Sequence, residues 1–207
     1  MTFLRPHTDE DLSISSKLLT QLAQTGNVRA SPPTFHSLTN DSEDVREVEG
    51  RIPREFGHDA VEILGARSLL MALEEVSARW TIVTSGTQPL AQGWLKILGL
   101  IEPPFIVTAE DVVHGKPDPA CYNLGRKKLG LPEFAPVLVF EDAPAGIRAG
   151  KAAGCLVVAL TTTHAVSHLI DAGADWIVQD LRSVKLDSID LKTGEMNIRI
   201  SGTCMLR

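Results

Sequence analysis

With 207 residues, 43% of them hydrophobic and 22% charged, the chain is long enough for one globular domain with a sizeable core. Its formal charge of −6 and pI of about 5.5 argue against nucleic acid or an anionic membrane as the main partner. No apolar run is long enough to cross a bilayer, the opening MTFLRPHTDEDLSISS has no stretch suited to secretion, and Cys121, Cys155 and Cys204 are widely and irregularly spaced, so reduced thiols in a cytoplasmic protein are expected, with no disulfide framework or zinc site.

In chain order, residues 1–42 read as a polar segment rich in Ser, Thr, Asn, Asp and Pro, poorly ordered or partly helical. Its one patch with helical spacing (Ile14, Leu18, Leu19, Leu22) is broken by Ser31-Pro32-Pro33. Residues 43–56 suggest a short charged helix ending near Gly57, within a unit taken as 43–64. From residue 65 the pattern changes and holds to 207. A helical spacing over Ala66–Val76 leads to the apolar run Trp80–Val83, and Leu90–Leu98 leads to Phe105–Val107. Ala120–Leu129 leads to Val137–Phe140, Ala145–Ala153 to Cys155–Leu160, and Val166–Ala172 to Trp176–Val178. Helices alternating with short apolar runs predict an α/β fold with a parallel sheet buried on both faces. Lys185–Asp190 and Glu195–Ile200, flanking Lys192-Thr193-Gly194, read as a hairpin at the sheet edge.

Ligands of open α/β sheets bind beyond the carboxyl ends of the strands, so the residues after each apolar run are the candidates. Thr84-Ser85-Gly86-Thr87 offers a hydroxyl and backbone N–H groups to an anion, or is simply a helix-capping turn. Lys116, between Gly115 and Pro117 and ahead of a helix that Asp118 can cap, suits a phosphate, or is a solvated surface lysine. Glu141 and Asp142 directly follow an apolar strand, where carboxylates are costly unless paired or bound to a cation; they suit Mg²⁺, or complement the dipole of the next helix. A dinucleotide-binding reading lacks Gly-x-Gly-x-x-Gly, a serine-hydrolase reading of Ser85 lacks Gly-x-Ser-x-Gly, and His164/His168 read as a polar helix face rather than metal ligands.

In order, VTSGT, GKPDP and VFEDAPAGIRAGKAAG resemble the second, third and fourth motifs of the haloacid dehalogenase superfamily, in its branch of sugar and polyol phosphatases such as glycerol-3-phosphatase and 2-deoxyglucose-6-phosphatase. The resemblance runs from about Glu43 to near the C-terminus, with EGRIPREFG at residues 49–57 similar to the tail of the family's helical cap. It implies a Rossmannoid parallel sheet flanked by helices and a Mg²⁺-dependent phosphatase of small phosphorylated metabolites. It further implies that Thr84, Ser85 and Gly86 bind the phosphoryl oxygens, that Lys116 and Thr84 act in catalysis, and that Glu141 and Asp142 hold Mg²⁺.

The family's first motif, an apolar strand ending in Asp-x-Asp-Gly-Thr, supplies the nucleophile and the acid/base, and no such stretch is recognisable here. Asp9-Glu10-Asp11 is the one comparable spelling near the N-terminus; Leu12 follows where Gly is expected, and Arg5-Pro6-His7-Thr8 precedes it where a buried strand is expected. The expectation is therefore a sheet missing its first, central strand and most of the cap. Such a chain is a truncated, mis-spliced or degenerate phosphatase, whose alternative role is to bind phosphate or a protein partner without turnover.

Overall fold

A computed structural model describes residues 10–14, 17–20, 42–202 and 204–205. Its strands are β1 (Glu10–Ile14), β2 (Lys17–Thr20), β3 (Trp80–Val83), β4 (Ile106–Val107), β5 (Val137–Glu141), β6 (Leu156–Leu160), β7 (Trp176–Val178), β8 (Val184–Asp190), β9 (Glu195–Ile200) and β10 (Cys204–Met205). The helices are α1 (Ser42–Phe56), α2 (Ala66–Glu75), α3 (Gln88–Leu98), α4 (Ala120–Lys128), α5 (Pro144–Ala152) and α6 (Val166–Asp171). A seven-stranded sheet runs β10-β7-β6-β5-β2-β3-β4, parallel throughout except for the antiparallel edge strand β10.

The apolar runs form this sheet because both of its faces are covered. Along β5, Leu138 and Phe140 join a core with Leu69, Leu70 and Leu73 of α2, while Val137 and Val139 join a second core with Tyr122 of α4 and Ile147 of α5. That is the two-residue alternation of a strand between two layers of helix. Every residue of β3 and β5 is buried.

Two expectations change. The patch Leu18–Leu19 is strand, not helix: Lys17–Thr20 lies between β3 and β5, parallel to both, so the central strand expected to be missing is present. The cause is tertiary, since adjacent parallel strands with unpaired N–H and C=O groups outweigh a weak local helical spacing. Leu22 and Ser31-Pro32-Pro33 lie outside the described residues. The hairpin of β8 and β9 forms as expected, but it joins β1 in a separate three-stranded antiparallel sheet rather than extending the main one. Met196, Ile198 and Ile200 are buried and pack into the α2 core.

The stretch 43–64 is α1 followed by a 3-10 turn at Gly57–Asp59, and α1 lies against α3. Glycines permit the approach: a Cβ on Gly93 would come within 2.7 Å of Pro53 Cγ, and one on Gly50 within 2.9 Å of Pro89 Cβ. Among the described residues no helix is long and apolar enough to cross a membrane.

Candidate functional site

At the end of β3 the chain turns through Thr84–Thr87 into α3. The Thr84 N–H donates to Val107 O at 2.8 Å, and Thr84 Oγ1 accepts from the Gly86 N–H at 3.1 Å, which tightens the turn. The first N–H groups of α3 are already partnered. Thr87 N donates to Glu49 Oε2 at 2.7 Å and Gln88 N to Glu110 Oε2 at 2.8 Å, so two carboxylates from distant segments cap the helix. What the turn presents outward is the Thr84–Gly86 segment with the exposed Ser85.

Lys116 ties this turn to β5. Its Nζ donates to Val83 O at 3.1 Å and to Glu141 Oε1 at 2.5 Å, contacts at the ends of the two strands that flank β2. The ammonium therefore spans the end of the central strand. It is only 5% exposed and lies 5.1 Å from the centroid of the Tyr122 ring, a cation–π distance. Asp118 accepts from the Ala120 N–H at 2.9 Å and starts α4, as its position before Pro119 and a helical run predicts.

The two adjacent carboxylates diverge. Glu141 is fully buried, and both of its oxygens are committed. Oε1 accepts from Lys116 and from the Tyr122 hydroxyl at 3.0 Å; Oε2 accepts from the backbone N–H groups of Asp142 and Ala143, each at 3.0 Å. Only glycine fits beneath it, because a Cβ on Gly146 would stand 1.9 Å from Oε1. Burial, reinforced by the Glu141 charge, pushes the Tyr122 hydroxyl well above the usual phenol range, so it stays a donor.

Asp142, 2% exposed, turns the other way. Its Oδ2 accepts from Thr163 Oγ1 at 2.8 Å and from Thr162 Oγ1 at 3.1 Å; its backbone carbonyl is met by Thr163 Oγ1 at 3.2 Å and His164 Nδ1 at 3.1 Å. No described residue hydrogen-bonds to Oδ1. Burial raises the Asp142 carboxyl above the usual carboxylate range, and the Glu141 charge adds to this against the two threonine hydroxyls. A buried carboxylate with one open oxygen and no cationic side chain against it among the described residues suits a hard divalent cation such as Mg²⁺, which needs one or two protein carboxylates and takes the rest of its shell from water and phosphate. Among the described residues no cluster of three or more His, Cys, Asp or Glu side chains could hold a metal alone.

β2 ends in register between these groups. Thr20 lies level with Ile82 and with Phe140, one step before Val83 and Glu141. In sequence Gln21-Leu22-Ala23-Gln24 follows, and no Asp or Glu occurs from Gln21 to Asn40. Asp11 is paired with Arg199 in the small sheet, outside the parallel one, while Asp9 lies outside the described residues.

Thus Lys116 and Glu141 are in direct contact, Thr84 adjoins the carbonyl that Lys116 holds, and Asp142 faces the loop after β6. Sequence reasoning missed Tyr122, Thr162 and Thr163, and Glu49. It placed His164 on a helix, whereas His164 lies in the loop before α6, with its ring centroid 6.5 Å from that of His168. The one available signal was the hydroxyl run Thr161-Thr162-Thr163 after an apolar strand, a counterpart of the turn after β3.

Residues 16–154 match the haloacid dehalogenase-like hydrolase family, so the match starts ahead of Glu43 and takes in β2. The chain is 40% identical over 165 residues to glycerol-1-phosphate phosphohydrolase 1 of Saccharomyces cerevisiae, covering 76% of this chain and 66% of the relative. It is 35% identical over 162 residues to 2-deoxyglucose-6-phosphate phosphatase 1 of the same yeast, covering 70% and 66%. The chain thus spans just under two thirds of these relatives. A solved hydrolase from Pseudomonas syringae superposes with a TM-score of 0.61 at 31% identity, covering 70% of this chain and 67% of that one.

Proposed function

This chain belongs to the haloacid dehalogenase-like hydrolase family, and from that premise we propose that its carboxyl-edge site is a magnesium-dependent phosphatase site for small sugar or polyol phosphates of the glycerol phosphate kind. One observation carries the reading: Lys116 Nζ bridges Val83 O and Glu141 Oε1, which puts a buried cation across the end of the central strand, beside the Thr84 turn. Thr84, with the backbone of Ser85 and Gly86, would take the phosphoryl oxygens. Lys116, fixed by Glu141 and Tyr122, would offset their charge. Asp142 would hold Mg²⁺ through Oδ1, and Glu141 would position Lys116 while lying next to the metal rather than giving it a free oxygen. Bound there, Mg²⁺ supplies electrostatic stabilisation of the phosphoryl group. The substrate class is supported by the names of the yeast relatives, which act on glycerol phosphate and deoxyglucose phosphate. A cytoplasmic setting belongs to the same proposal and agrees with the buried free thiols of Cys121 and Cys155.

A second reading, binding without turnover, is favoured by the absence of any Asp or Glu from Gln21 to Asn40, beyond the strand where the nucleophile is needed. One experiment separates the two. The purified chain is given Mg²⁺ with glycerol phosphate, 2-deoxyglucose 6-phosphate and an aryl phosphate, and both released phosphate and thermal stability are followed. Hydrolysis lost in Lys116→Ala and Asp142→Asn supports the first reading. Mg²⁺-dependent stabilisation by phosphate with no release supports the second. If neither occurs, both readings fall.

A further inference from the structure

Among the described residues, the hydrogen bonds to the Asp142 carboxylate and carbonyl come from one place, the loop after β6. Thr163 Oγ1 lies 2.8 Å from Oδ2 and 3.2 Å from the Asp142 carbonyl, and Thr162 Oγ1 lies 3.1 Å from Oδ2. His164 Nδ1 stands 3.1 Å from the same carbonyl and 2.8 Å from Thr163 Oγ1. A carbonyl oxygen only accepts, so His164 pairs with it through an Nδ1–H, which defines the tautomer. A threonine hydroxyl has one proton, and the Thr163 proton best serves the charged oxygen at 2.8 Å, leaving its lone pairs to face the histidine. Both hydroxyls meet the same carboxylate oxygen. They hold the plane of the carboxylate and leave Oδ1 without a hydrogen bond among the described residues.

We infer that the loop Thr162-Thr163-His164 is the positioning element of the metal site: its two hydroxyls orient the Asp142 carboxylate so that Oδ1 alone is offered to a divalent cation. Resting on the reading of Asp142 as a magnesium ligand, this assigns a function to residues that touch neither metal nor substrate. The loop follows a different strand from Thr84, Glu141 and Asp142, so the site draws on β6 as well as β3 and β5. Outer groups that orient a metal ligand typically contribute about 10–100-fold to affinity.

The test is calorimetric titration of the purified full chain with MgCl₂, without substrate, for the wild type, Asp142→Asn, Thr163→Val, Thr163→Ser and Thr162→Val. Circular dichroism and the melting temperature without metal establish that each variant is folded. The expectation is that Asp142→Asn abolishes binding, Thr163→Val weakens it about 10-fold or more, Thr162→Val weakens it less, and Thr163→Ser, which keeps the hydroxyl, restores it. Wild-type affinity in Thr163→Val alongside loss in Asp142→Asn overturns the positioning role and leaves the ligand assignment standing. Equal loss in Thr163→Val and Thr163→Ser also overturns it, because packing rather than the hydroxyl would then be responsible. Wild-type binding that survives Asp142→Asn, or no binding by the wild type, overturns the ligand assignment and this inference together.

Discussion

Strands β2 and β5 lie side by side, parallel, in register from Lys17 opposite Val137 to Thr20 opposite Phe140. Beyond that last pair their sequences part. β5 runs into Glu141-Asp142, each carboxylate held by at least two donors, whereas β2 is followed by Gln21-Leu22-Ala23-Gln24. The difference separates what a sheet requires from what a site requires. A slot between two parallel strands can be filled by a backbone of four residues that continues both ladders. A catalytic position requires one residue type, because a carboxylate attacks phosphorus and an amide does not.

Removing the charge at the end of β5 is the harshest way to break the comparison. Glu141→Ala leaves the Lys116 ammonium buried without its carboxylate, and equilibrium urea unfolding is expected to show a loss of about 3–5 kcal/mol. The double change Glu141→Leu with Lys116→Met should recover much of that loss, which would mark the pair as a device for placement rather than stability. Supplying the end of β2 with what it lacks is the next test. Gln21 and Ala23 follow Thr20 in sequence with the spacing of the Asp-x-Asp that the family's first motif carries after its strand, so Gln21→Asp with Ala23→Asp should raise aryl phosphate hydrolysis by about 10²-fold. The gain should vanish when Asp142→Asn is added; an unchanged rate would mean that β2 does not serve as the nucleophile strand.

A milder change at the end of β5 is Tyr122→Phe, which removes one of the four hydrogen bonds to Glu141 and should cost about 1.5–3 kcal/mol by denaturant melts, the range for hydrogen bonds to charged groups. At neutral pH the smallest effect belongs to the opposite edge of the sheet, where no chemistry is proposed. Burial pushes the Cys155 thiol, just before β6, up from 9.0 to about 11. Its folded form therefore keeps the proton while the unfolded chain releases it. Stability should be unaffected below pH 9, should decline as pH rises from 9 towards 11, and should decline less steeply in Cys155→Ala.

Most of the large sheet could be read in the sequence. The runs at Trp80–Val83, Val137–Phe140 and Trp176–Val178 became strands because each is apolar, short and bounded by turn residues, and helices with matching apolar spacing cover them. β2 could not be read this way. Leu18 and Leu19 share a weak helical spacing with Ile14 and Leu22, and the strand that Lys17–Thr20 forms depends on partners far away in the chain, β3 and β5. The candidate site divides along the same line. Thr84, Lys116, Glu141 and Asp142 were legible because residues at strand ends face the ligand edge of such a sheet. The role within that set was not. Glu141 and Asp142 are neighbours of the same chemical type, yet one is held by Lys116, Tyr122 and two backbone N–H groups, and the other has no partner at Oδ1 among the described residues.

The alternating architecture, the family and the strand-end residues are legible along the chain, because apolar periodicity and adjacent motif residues act over short stretches. The filled central slot, the reach of Lys116 across its end and the hold of the β6 loop on Asp142 arise from long-range packing alone. Backbone pairing and hydrogen-bond saturation join residues distant in sequence, and which donors reach a given oxygen is set by how the strands lie side by side.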